Sequence, residues 1–325
     1  MIKWGILGCG KIAAKFASDM ALSKTGFIYA CASKDMERSK QFGQKFQVTH
    51  VFTSYEEMLR LDELDAIYIA TPHSHHFEHT ILCLQARKNV LCEKPLTINK
   101  GMANALFKLA EQNKCFLMEG MWTAFLPMIQ EIQWKIQNGE IGEIRHIQAD
   151  FGFRTTYNPT SRLYDPRLAG GALLDIGIYP IYICLSLLGI PHEIIAKGNL
   201  TDQNIDDECS VLLSYVTNAT AFLHASITTD TNTTCIIYGT KGSIHIPSRF
   251  HEQEEYHILD SANETQTIKV DKTGIGFYHE IEHFNFCLNH NIIESPIMTK
   301  KMSLDLVGIM DTIRKQIGVS YIWDK

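Results

Sequence analysis

The chain has 325 residues, 45% of them hydrophobic and 20% charged, and its formal net charge is −6 at pH 7. This composition excludes a disordered chain and allows two domains with cores of their own. The acidic balance gives no basis for a nucleic-acid partner. We expect no membrane partner either, because we expect no apolar run long enough to span a bilayer and a strand from Ile2 onward. Nine cysteines without a CxxC pair favour reduced thiols and a cytoplasmic enzyme.

A glycine-rich turn follows the first expected strand, at residues 2–7, and leads into helix-like residues 14–17. Its glycines and the alanine at the third glycine position give the dinucleotide-binding fingerprint. Gly8 permits the tight turn, Gly10 lets the backbone approach a pyrophosphate, and the first N–H groups of the helix hold the phosphates. We therefore predict cofactor contacts at Gly8, Cys9, Gly10, Lys11 and Ile12.

The second expected strand, at residues 27–32, ends in Ser33 and Lys34. An acidic residue at this position would bind the ribose hydroxyls of NAD, whereas a hydroxyl and a cation suit the 2′-phosphate of NADP. Asp35 follows at once, and a register one residue later would favour NAD. We predict NADP as the cofactor, bound in part by Ser33 and Lys34, with NAD as the alternative.

Two further strands end in polar residues, and in a parallel α/β sheet ligands bind at the carboxyl ends of the strands. The strand at residues 66–70 is followed by a Thr-Pro-His segment, and the short strand at residues 90–92 ends in Glu-Lys-Pro. The alternative is a surface loop with a solvated ion pair. We predict that the cofactor crevice is lined by Thr71, Pro72, His73, His76, Glu93 and Lys94.

The histidines of the first of these segments also suggest a metal site. His75 and His79 are spaced i,i+4 on the following helix and could face one ligand. No Cys, Asp or Glu nearby obviously completes a coordination sphere, and Glu78 should point away from the pair. We predict that the protein holds no metal there.

The second half of the chain changes to alternating strands, including residues 208–215 and 219–226 joined through Thr217 and Asn218. The sequence thus predicts an α/β protein in two domains. Residues 1–120 form a doubly wound, parallel Rossmann domain. Residues 121–325 form an α+β domain with a large, mostly antiparallel sheet, which binds substrate, and its C-terminal helix packs back on the first domain.

A Gly-Gly-Ala turn at residues 170–172 precedes an expected helix bearing Asp175 and Tyr179. Their i,i+4 spacing places both on one face, where two polar side chains can converge on a substrate. The alternative is ordinary: an aspartate that favours the helix dipole and a half-buried core tyrosine.

Taken together, the three strand-exit motifs resemble those of the Gfo/Idh/MocA oxidoreductases, named after glucose–fructose oxidoreductase and inositol dehydrogenase. The resemblance continues through residues 119–123, 168–180 and 239–243 and so covers nearly the whole chain. Many members have Asn at the position of His73 and His at that of Tyr179. Tyr179 and the Met-Trp-Thr segment make this chain similar to the dimeric dihydrodiol dehydrogenase and D-xylose dehydrogenase branch, although Ala124 stands where relatives often have Arg.

The resemblance implies a preference for NADP and a homodimer in which a second subunit covers the C-terminal sheet. It also implies reversible hydride transfer between nicotinamide and the hydroxyl carbon of a sugar, polyol or trans-dihydrodiol. A redox-silent NAD(P)- or sugar-sensing regulator and an NAD-dependent glycoside-cleaving enzyme are the alternatives.

We expect Lys94, Tyr179 and Asp175 to be the catalytic residues, because an alcohol must lose its hydroxyl proton as hydride leaves. A lysine ammonium stabilises a tyrosine phenolate, so Lys94 would activate Tyr179 or hold the substrate oxygen. Asp175 would orient Lys94 or bind a neighbouring hydroxyl. Trp122 and Phe153 would form an apolar wall of the substrate site, or alternatively a simple part of the core.

Overall fold

The computed structural model describes residues 1–262 and 264–324. These residues divide into two compact units. The first unit contains residues 1–97, 101–126 and 272–303. The second contains residues 98–100 and 127–271 and the chain from Leu304 onward.

The first unit is built on a six-stranded parallel sheet with the strand order β3-β2-β1-β4-β5-β6. Its central strands are nearly continuous buried apolar runs, as expected where helices cover both faces. The strand order reverses beside β1, which places a ligand crevice at the carboxyl ends of β1 and β4. The predicted Rossmann fold is confirmed. Its strands are β1 (Ile2–Leu7), β2 (Gly26–Ala32), β3 (His50–Phe52), β4 (Ala66–Ile69), β5 (Asn89–Glu93) and β6 (Leu117–Gly120).

The helices between these strands begin where the sequence offers caps or glycine turns. Asp35 and Ser54 each accept a hydrogen bond from the backbone N–H three residues later, at the starts of α2 and α3. The helices are α1 (Lys11–Met20), α2 (Met36–Phe46), α3 (Tyr55–Leu59), α4 (His73–Gln85) and α5 (Lys100–Asn113).

The chain returns to the first unit late, through helix α8 (Phe277–Asn289). The carboxylate of Asp19 accepts hydrogen bonds from the N–H groups of Ile275, Gly276 and Tyr278 at 2.9–3.1 Å, which fixes the start of α8. Trp4 donates its indole N–H to Asn285 at 3.0 Å. The prediction that all of residues 121–325 form one domain is therefore corrected.

The second unit contains an eight-stranded sheet in the order β14-β13-β12-β11-β7-β10-β9-β8. Among the described strand pairs of this second sheet, only β7–β10 is parallel. The predicted mostly antiparallel sheet is therefore confirmed. The predicted hairpin is also present, as β9 and β10. The strands are β7 (Ile144–Gly152), β8 (Glu193–Leu200), β9 (Asp206–Ser214), β10 (Thr220–Ser226), β11 (Cys235–Gly239), β12 (Gly242–Ile246), β13 (Glu255–Asp260) and β14 (Thr265–Lys269).

The helices of the second unit are α6 (Pro127–Gln137), α7 (Ile178–Leu188) and most of α9 (Lys300–Ile317). The C-terminal helix α9 belongs to this unit from Leu304 onward. It packs on residues 98–100 of the predicted first domain, as expected, because Asp311 accepts the N–H of Lys100 at 2.9 Å and Arg314 donates to the carbonyl oxygen of Ile98 at 3.1 Å. Arg314 of α9 is buried and donates to the carboxylates of Asp311 and Asp324.

The segment Pro166–Leu188 has the length and composition of a membrane span, contrary to the expectation that no such run exists. In this structure 83% of its apolar window is buried inside the protein. The helix α7 at its end packs on β7 and β10 as a core element.

Candidate active site

The dinucleotide loop has the backbone geometry that its sequence predicts. Gly8 adopts φ +89°, and a Cβ there would lie 2.9 Å from Cγ2 of Thr71 and 3.0 Å from the carbonyl oxygen of Ala70, so only glycine fits. Gly10 precedes α1, and a Cβ there would meet nothing within 4 Å. No side chain caps the start of α1. The first N–H groups of α1 therefore face an open approach, which fits the pyrophosphate of a dinucleotide.

The three residues that follow β2, Ser33, Lys34 and Asp35, differ in burial and in hydrogen bonding. Ser33 is buried and accepts a hydrogen bond from the N–H of Asp35 at 3.4 Å, while Lys34 is exposed. The Asp35 carboxylate accepts from the N–H of Arg38 at 3.1 Å and lies 4.0 Å from its guanidinium. Asp35 is thus engaged in capping α2. Arg38, which the sequence analysis missed, adds a second exposed cation beside Lys34.

His76 does not have the role predicted from the sequence. Its ring is fully buried, with Nδ1 2.7 Å from the carbonyl oxygen of Pro95 and Nε2 2.8 Å from that of Thr71. Burial lowers its pKa to about 4, so the ring is neutral and can donate to only one carbonyl at a time. We correct the prediction: His76 braces the β4 and β5 exits against each other and does not line the crevice.

The other predicted residues of the β4 exit lie at the start of α4. Thr71 is half-buried, with Oγ1 3.0 Å from Nδ1 of His79, and Pro72 immediately precedes the helix. His73 is half-buried in its first turn. The rings of His75 and His79 stack, but the described residues include no group of three or more His, Cys, Asp or Glu side chains suited to a metal ion.

The Glu-Lys-Pro motif divides into an inward and an outward part. Glu93 is buried, accepts a hydrogen bond from the Tyr68 hydroxyl and accepts the N–H of Lys94 at 3.2 Å. Burial, reinforced by the neighbouring Glu93 and Glu280 carboxyls, raises the pKa of Tyr68, which keeps its phenol a donor. The predicted cofactor contact of Glu93 is therefore corrected: its carboxylate supports the backbone of Lys94. Lys94 itself is half-buried, and its bond to Pro95 is cis.

In the second unit, Asp175 and Tyr179 do not lie on one regular α-helix as predicted. Residues Leu173–Gly177 form a π-helical turn, and α7 begins only at Ile178. Such wide turns occur frequently at functional sites. Asp175 and Tyr179 are both buried. The i,i+4 argument for a shared α-helical face therefore does not apply.

A buried carboxyl holds the start of this π turn. Asp206 accepts the N–H of Leu173 at 2.7 Å. A Cβ on Gly171, whose φ is +131°, would lie 2.2 Å from Oδ1 of Asp206, so the glycine is required here. Burial raises the pKa of Asp206 to about 7.

Asp206→Asn should make the protein more stable at pH 8. Because the folded-state pKa is raised, the wild-type protein loses stability as the pH rises from about 4 to about 7, by about 4 kcal/mol at most. The neutral amide avoids this loss, so the advantage of the variant should disappear toward pH 4. Urea unfolding at both pH values checks this, with the exposed Asp202→Asn as control. An advantage of equal size at both pH values would contradict it.

Asp175 is held by a residue that the sequence analysis missed. Arg162 donates through both terminal nitrogens to the Asp175 carboxylate, at 2.8 and 3.3 Å. The side chain of Asp175 is 9% exposed and that of Arg162 is 55% exposed. The only signal in the sequence was a cation shortly before the Gly-Gly turn, and nothing local connects it with Asp175.

Tyr179 lies in an aromatic cluster whose members come from separate elements. Its ring centroid is 5.7 Å from that of Phe151 and 5.1 Å from that of His251, a buried residue also missed from the sequence. Phe153 is half-buried beside Phe151, with ring centroids 6.3 Å apart. Replacing the phenol by a phenyl ring at position 179 would therefore keep most of this packing.

Trp122 belongs to the first unit and packs there. Its indole stacks on Phe277 with centroids 5.0 Å apart and planes within 5°. A Cβ on Gly276 would meet the indole at 2.7 Å. At least one face of the Trp122 ring is therefore packed in the core, which was the alternative to a wall of the substrate site.

The first unit has a Rossmann fold with an open phosphate loop, and the second unit contains an ion-paired carboxylate and a tyrosine. This combination is typical of nicotinamide-dependent oxidoreductases. The comparisons with known proteins agree. The GFO_IDH_MocA model, "Oxidoreductase family, NAD-binding Rossmann fold", matches residues 2–121, and the model of the GFO/IDH/MocA C-terminal domain matches residues 129–245. The chain belongs to the Gfo/Idh/MocA family, and it is an NAD(P)-dependent dehydrogenase acting on hydroxyl groups.

Curated relatives match over the full length. Trans-1,2-dihydrobenzene-1,2-diol dehydrogenase of Xenopus tropicalis is 34% identical, with 98% of this chain and 99% of the relative covered. The Homo sapiens enzyme of that name is 32% identical, with 100% and 99% covered. Among solved structures, a 3-ketoreductase from Actinomadura kijaniata in complex with NADP and TDP-benzene is 26% identical, with a TM-score of 0.88 and 99% of both chains covered.

Proposed function

We propose that the protein is an NADP-dependent dehydrogenase of vicinal diols borne on a six-membered ring, the group that trans-dihydrodiols and pyranose sugars share. The observation that carries the proposal is the pair formed by Tyr179 and the Arg162-bound Asp175 on consecutive turns. The names of the full-length relatives support a trans-dihydrodiol as the first substrate to test.

In this mechanism, bound NADP+ supplies the hydride acceptor. The phenol oxygen of Tyr179, as phenolate, takes the hydroxyl proton while the C–H bond of the same carbon breaks and the C=O bond forms. Asp175, kept in place by Arg162, accepts a hydrogen bond from the neighbouring hydroxyl. The catalytic role of Lys94 stays a prediction. Aromatic rings beside Tyr179 exclude water from the reacting carbon.

NADP is preferred to NAD in this proposal because Asp35 caps α2 and two cations, Lys34 and Arg38, stand exposed beside it. An NAD enzyme would use a free carboxylate at this place for the ribose hydroxyls.

The double variant Lys34→Ala/Arg38→Ala should bind NADPH roughly 10- to 100-fold more weakly, because hydrogen bonds from cations to a phosphate are lost. Its affinity for NADH should change little. Fluorescence titration with both cofactors checks this, with Lys40→Ala, another exposed cation on α2, as the matched control. Equal weakening for NADH and NADPH would contradict the assignment of the 2′-phosphate to these cations.

The outer face of the eight-stranded sheet supports a homodimer, which we propose as the working assembly. Ile195, Leu212 and Phe222 are paired neighbours on three adjacent strands and are 48%, 38% and 45% exposed. A contiguous apolar row of this kind on a sheet face is typical of an interaction surface. Sedimentation equilibrium should give the mass of two chains, and the mass of one chain would contradict the dimer.

All nine cysteines are free, which supports our proposal of a cytoplasmic location. Cell fractionation tests it, and recovery of the protein in an extracellular or membrane-enclosed oxidising fraction would contradict it.

A reduced nicotinamide assay tests the proposed function as a whole. NADPH should accumulate when NADP+ and a trans-dihydrodiol or an aldopyranose are supplied. A regulator would produce none, and a glycoside-cleaving enzyme would consume substrate without net reduction of the cofactor.

A further inference from the structure

The segment that follows α9 folds back onto the approach to the π turn that carries Asp175. Tyr321 of this segment is buried, and its hydroxyl donates a hydrogen bond to the carbonyl oxygen of Gly170. The two residues are 151 positions apart and belong to the same unit. Asp206 accepts the N–H of Leu173 at the start of the turn itself. The approach to the turn is therefore held by the Tyr321 hydroxyl and its start by the Asp206 carboxyl.

A buried arginine fixes the side chain of Tyr321. The guanidinium of Arg314 lies over the Tyr321 ring, with Cζ 5.2 Å from the ring centroid. Arg314 is 4% exposed and donates to the Asp324 carboxylate at 2.6 Å, and the same carboxylate accepts the N–H of Tyr321 at 2.8 Å. Charge-assisted hydrogen bonds are the strong ones in proteins. These contacts therefore fix the direction of the ring, with its hydroxyl on the carbonyl of Gly170.

The two glycines before the turn contact the backbones of both members of the Arg162–Asp175 pair. A Cβ on Gly170 would lie 2.5 Å from the carbonyl oxygen of Leu163 and 3.0 Å from that of Arg162. The N–H of Gly171 donates to the carbonyl of Leu163 at 2.9 Å, and the carbonyl of Gly171 accepts the N–H of Asp175 at 3.3 Å. A shift of the glycine pair is therefore passed directly to the backbones of Arg162 and Asp175.

We propose that Tyr321 is a positioning residue for the reaction. Its hydroxyl keeps the Asp175 carboxylate and Arg162 in the arrangement that binds the substrate hydroxyl next to the reacting carbon. The inference rests on the proposed function, in which Asp175 accepts a hydrogen bond from that hydroxyl. Phenylalanine at position 321 would keep the ring beside Arg314 but would leave the carbonyl of Gly170 without this donor. Displacements of about 1 Å far from the chemistry can cost on the order of 100-fold in rate.

The first experiment compares Tyr321→Phe with a matched variant, Tyr256→Phe. Tyr256 is also buried in the second unit, and its hydroxyl donates to Glu131 at 2.8 Å. Each variant loses one hydroxyl hydrogen bond, so both should lower the melting temperature by similar amounts. Only Tyr321→Phe should lower kcat/KM for a trans-dihydrodiol, by roughly 5- to 50-fold, and shift its pH profile as Arg162→Leu does. Both should keep the wild-type affinity for NADPH. Equal kinetics in the two variants would overturn the proposal.

The double variant Arg162→Leu/Tyr321→Phe tests whether both residues act through the same carboxylate. Substitutions that disturb one network are not additive. Once Arg162 has been replaced, Tyr321→Phe should therefore lower kcat/KM by less than about twofold. If the two separate losses multiply in the double variant, Tyr321 does not act through the Arg162–Asp175 pair and the proposal is wrong.

Hydrogen–deuterium exchange separates this inference from the proposed function, because it needs no substrate. The backbone of residues 171–177 should exchange roughly fivefold faster or more in Tyr321→Phe than in the wild-type protein, and at the wild-type rate in Tyr256→Phe. Unchanged exchange in Tyr321→Phe would overturn the positioning role. Absence of diol turnover by the wild-type protein would overturn the proposed function and the kinetic part of the inference, whereas faster exchange would still support the hold of Tyr321 on the turn.

Discussion

Tyr179→Phe is expected to lower kcat by roughly 10²- to 10⁴-fold, the usual contribution of a positioned acid or base, while leaving NADPH affinity unchanged. The substitution removes only the phenol oxygen, because the ring packing with Phe151 and His251 is retained. Steady-state oxidation of a trans-dihydrodiol, together with NADPH titration, measures both quantities.

The matched control for this variant is Tyr182→Phe. Tyr182 lies on the same helix and is almost fully buried. Removal of its hydroxyl should leave kcat intact, because Tyr182 has no part in the proposed proton transfer. Turnover by Tyr179→Phe at the wild-type rate would contradict the role of Tyr179 in proton transfer.

Arg162→Leu is expected to lower kcat/KM by roughly 10- to 100-fold, because a buried carboxylate loses a two-pronged charged partner worth about 1.5–3 kcal/mol. Arg162 acts here as a positioning residue, through Asp175. Arg162→Lys should recover only part of the activity, since an ammonium cannot bind both carboxylate oxygens in the same plane. The pH profile of kcat/KM should shift in Arg162→Leu, which a purely structural defect would not produce.

Arg167→Leu provides the matched control for Arg162. Arg167 forms a similar pair with Asp165 at 2.8 Å on the same segment, and its side chain is 78% exposed. Asp165 is as buried as Asp175, so the loss of a charged partner is comparable in the two variants. Because Asp165 has no part in the proposed reaction, Arg167→Leu should keep wild-type kinetics. Equal losses in both variants would mean that the segment, and not the Arg162–Asp175 pair, is responsible.

Local sequence signals were sufficient for the Rossmann sheet and the dinucleotide loop. Gly8 and Gly10 lie within six residues of a strand and a helix that are both visible as apolar patterns, and the observed backbone requires glycine at position 8. The antiparallel sheet of the second unit followed from alternation in the same way.

The errors concern side-chain direction and long-range pairing. Glu93 and His76 stand at strand exits, as predicted, but both turn inward to hydrogen-bond with Tyr68 and with backbone carbonyls. The sequence pattern locates an exit without specifying which way each side chain points. The return of α8 depends on Asp19, 256 residues earlier in the chain than Ile275, and no local motif records such a contact.

The missed residues follow from the same cause. Arg162 lies 13 positions before Asp175 in an irregular segment, and His251 lies 72 positions after Tyr179. Neither belongs to a motif, and only folding brings each to its partner. The π-helical turn at Leu173–Gly177 could not be predicted either, because the sequence argument assumed α-helical spacing.

The most direct test of the central claim is the stoichiometry of cofactor reduction by the purified wild-type protein. A trans-1,2-dihydrodiol and NADP+ are mixed with the enzyme, and NADPH and the oxidised organic product are quantified in the same samples. NADPH and product should accumulate in equal amounts, and Tyr179→Phe should form both roughly 10²- to 10⁴-fold more slowly. Consumption of substrate without NADPH, or no turnover of any ring-borne diol by a protein that binds NADPH tightly, would contradict it.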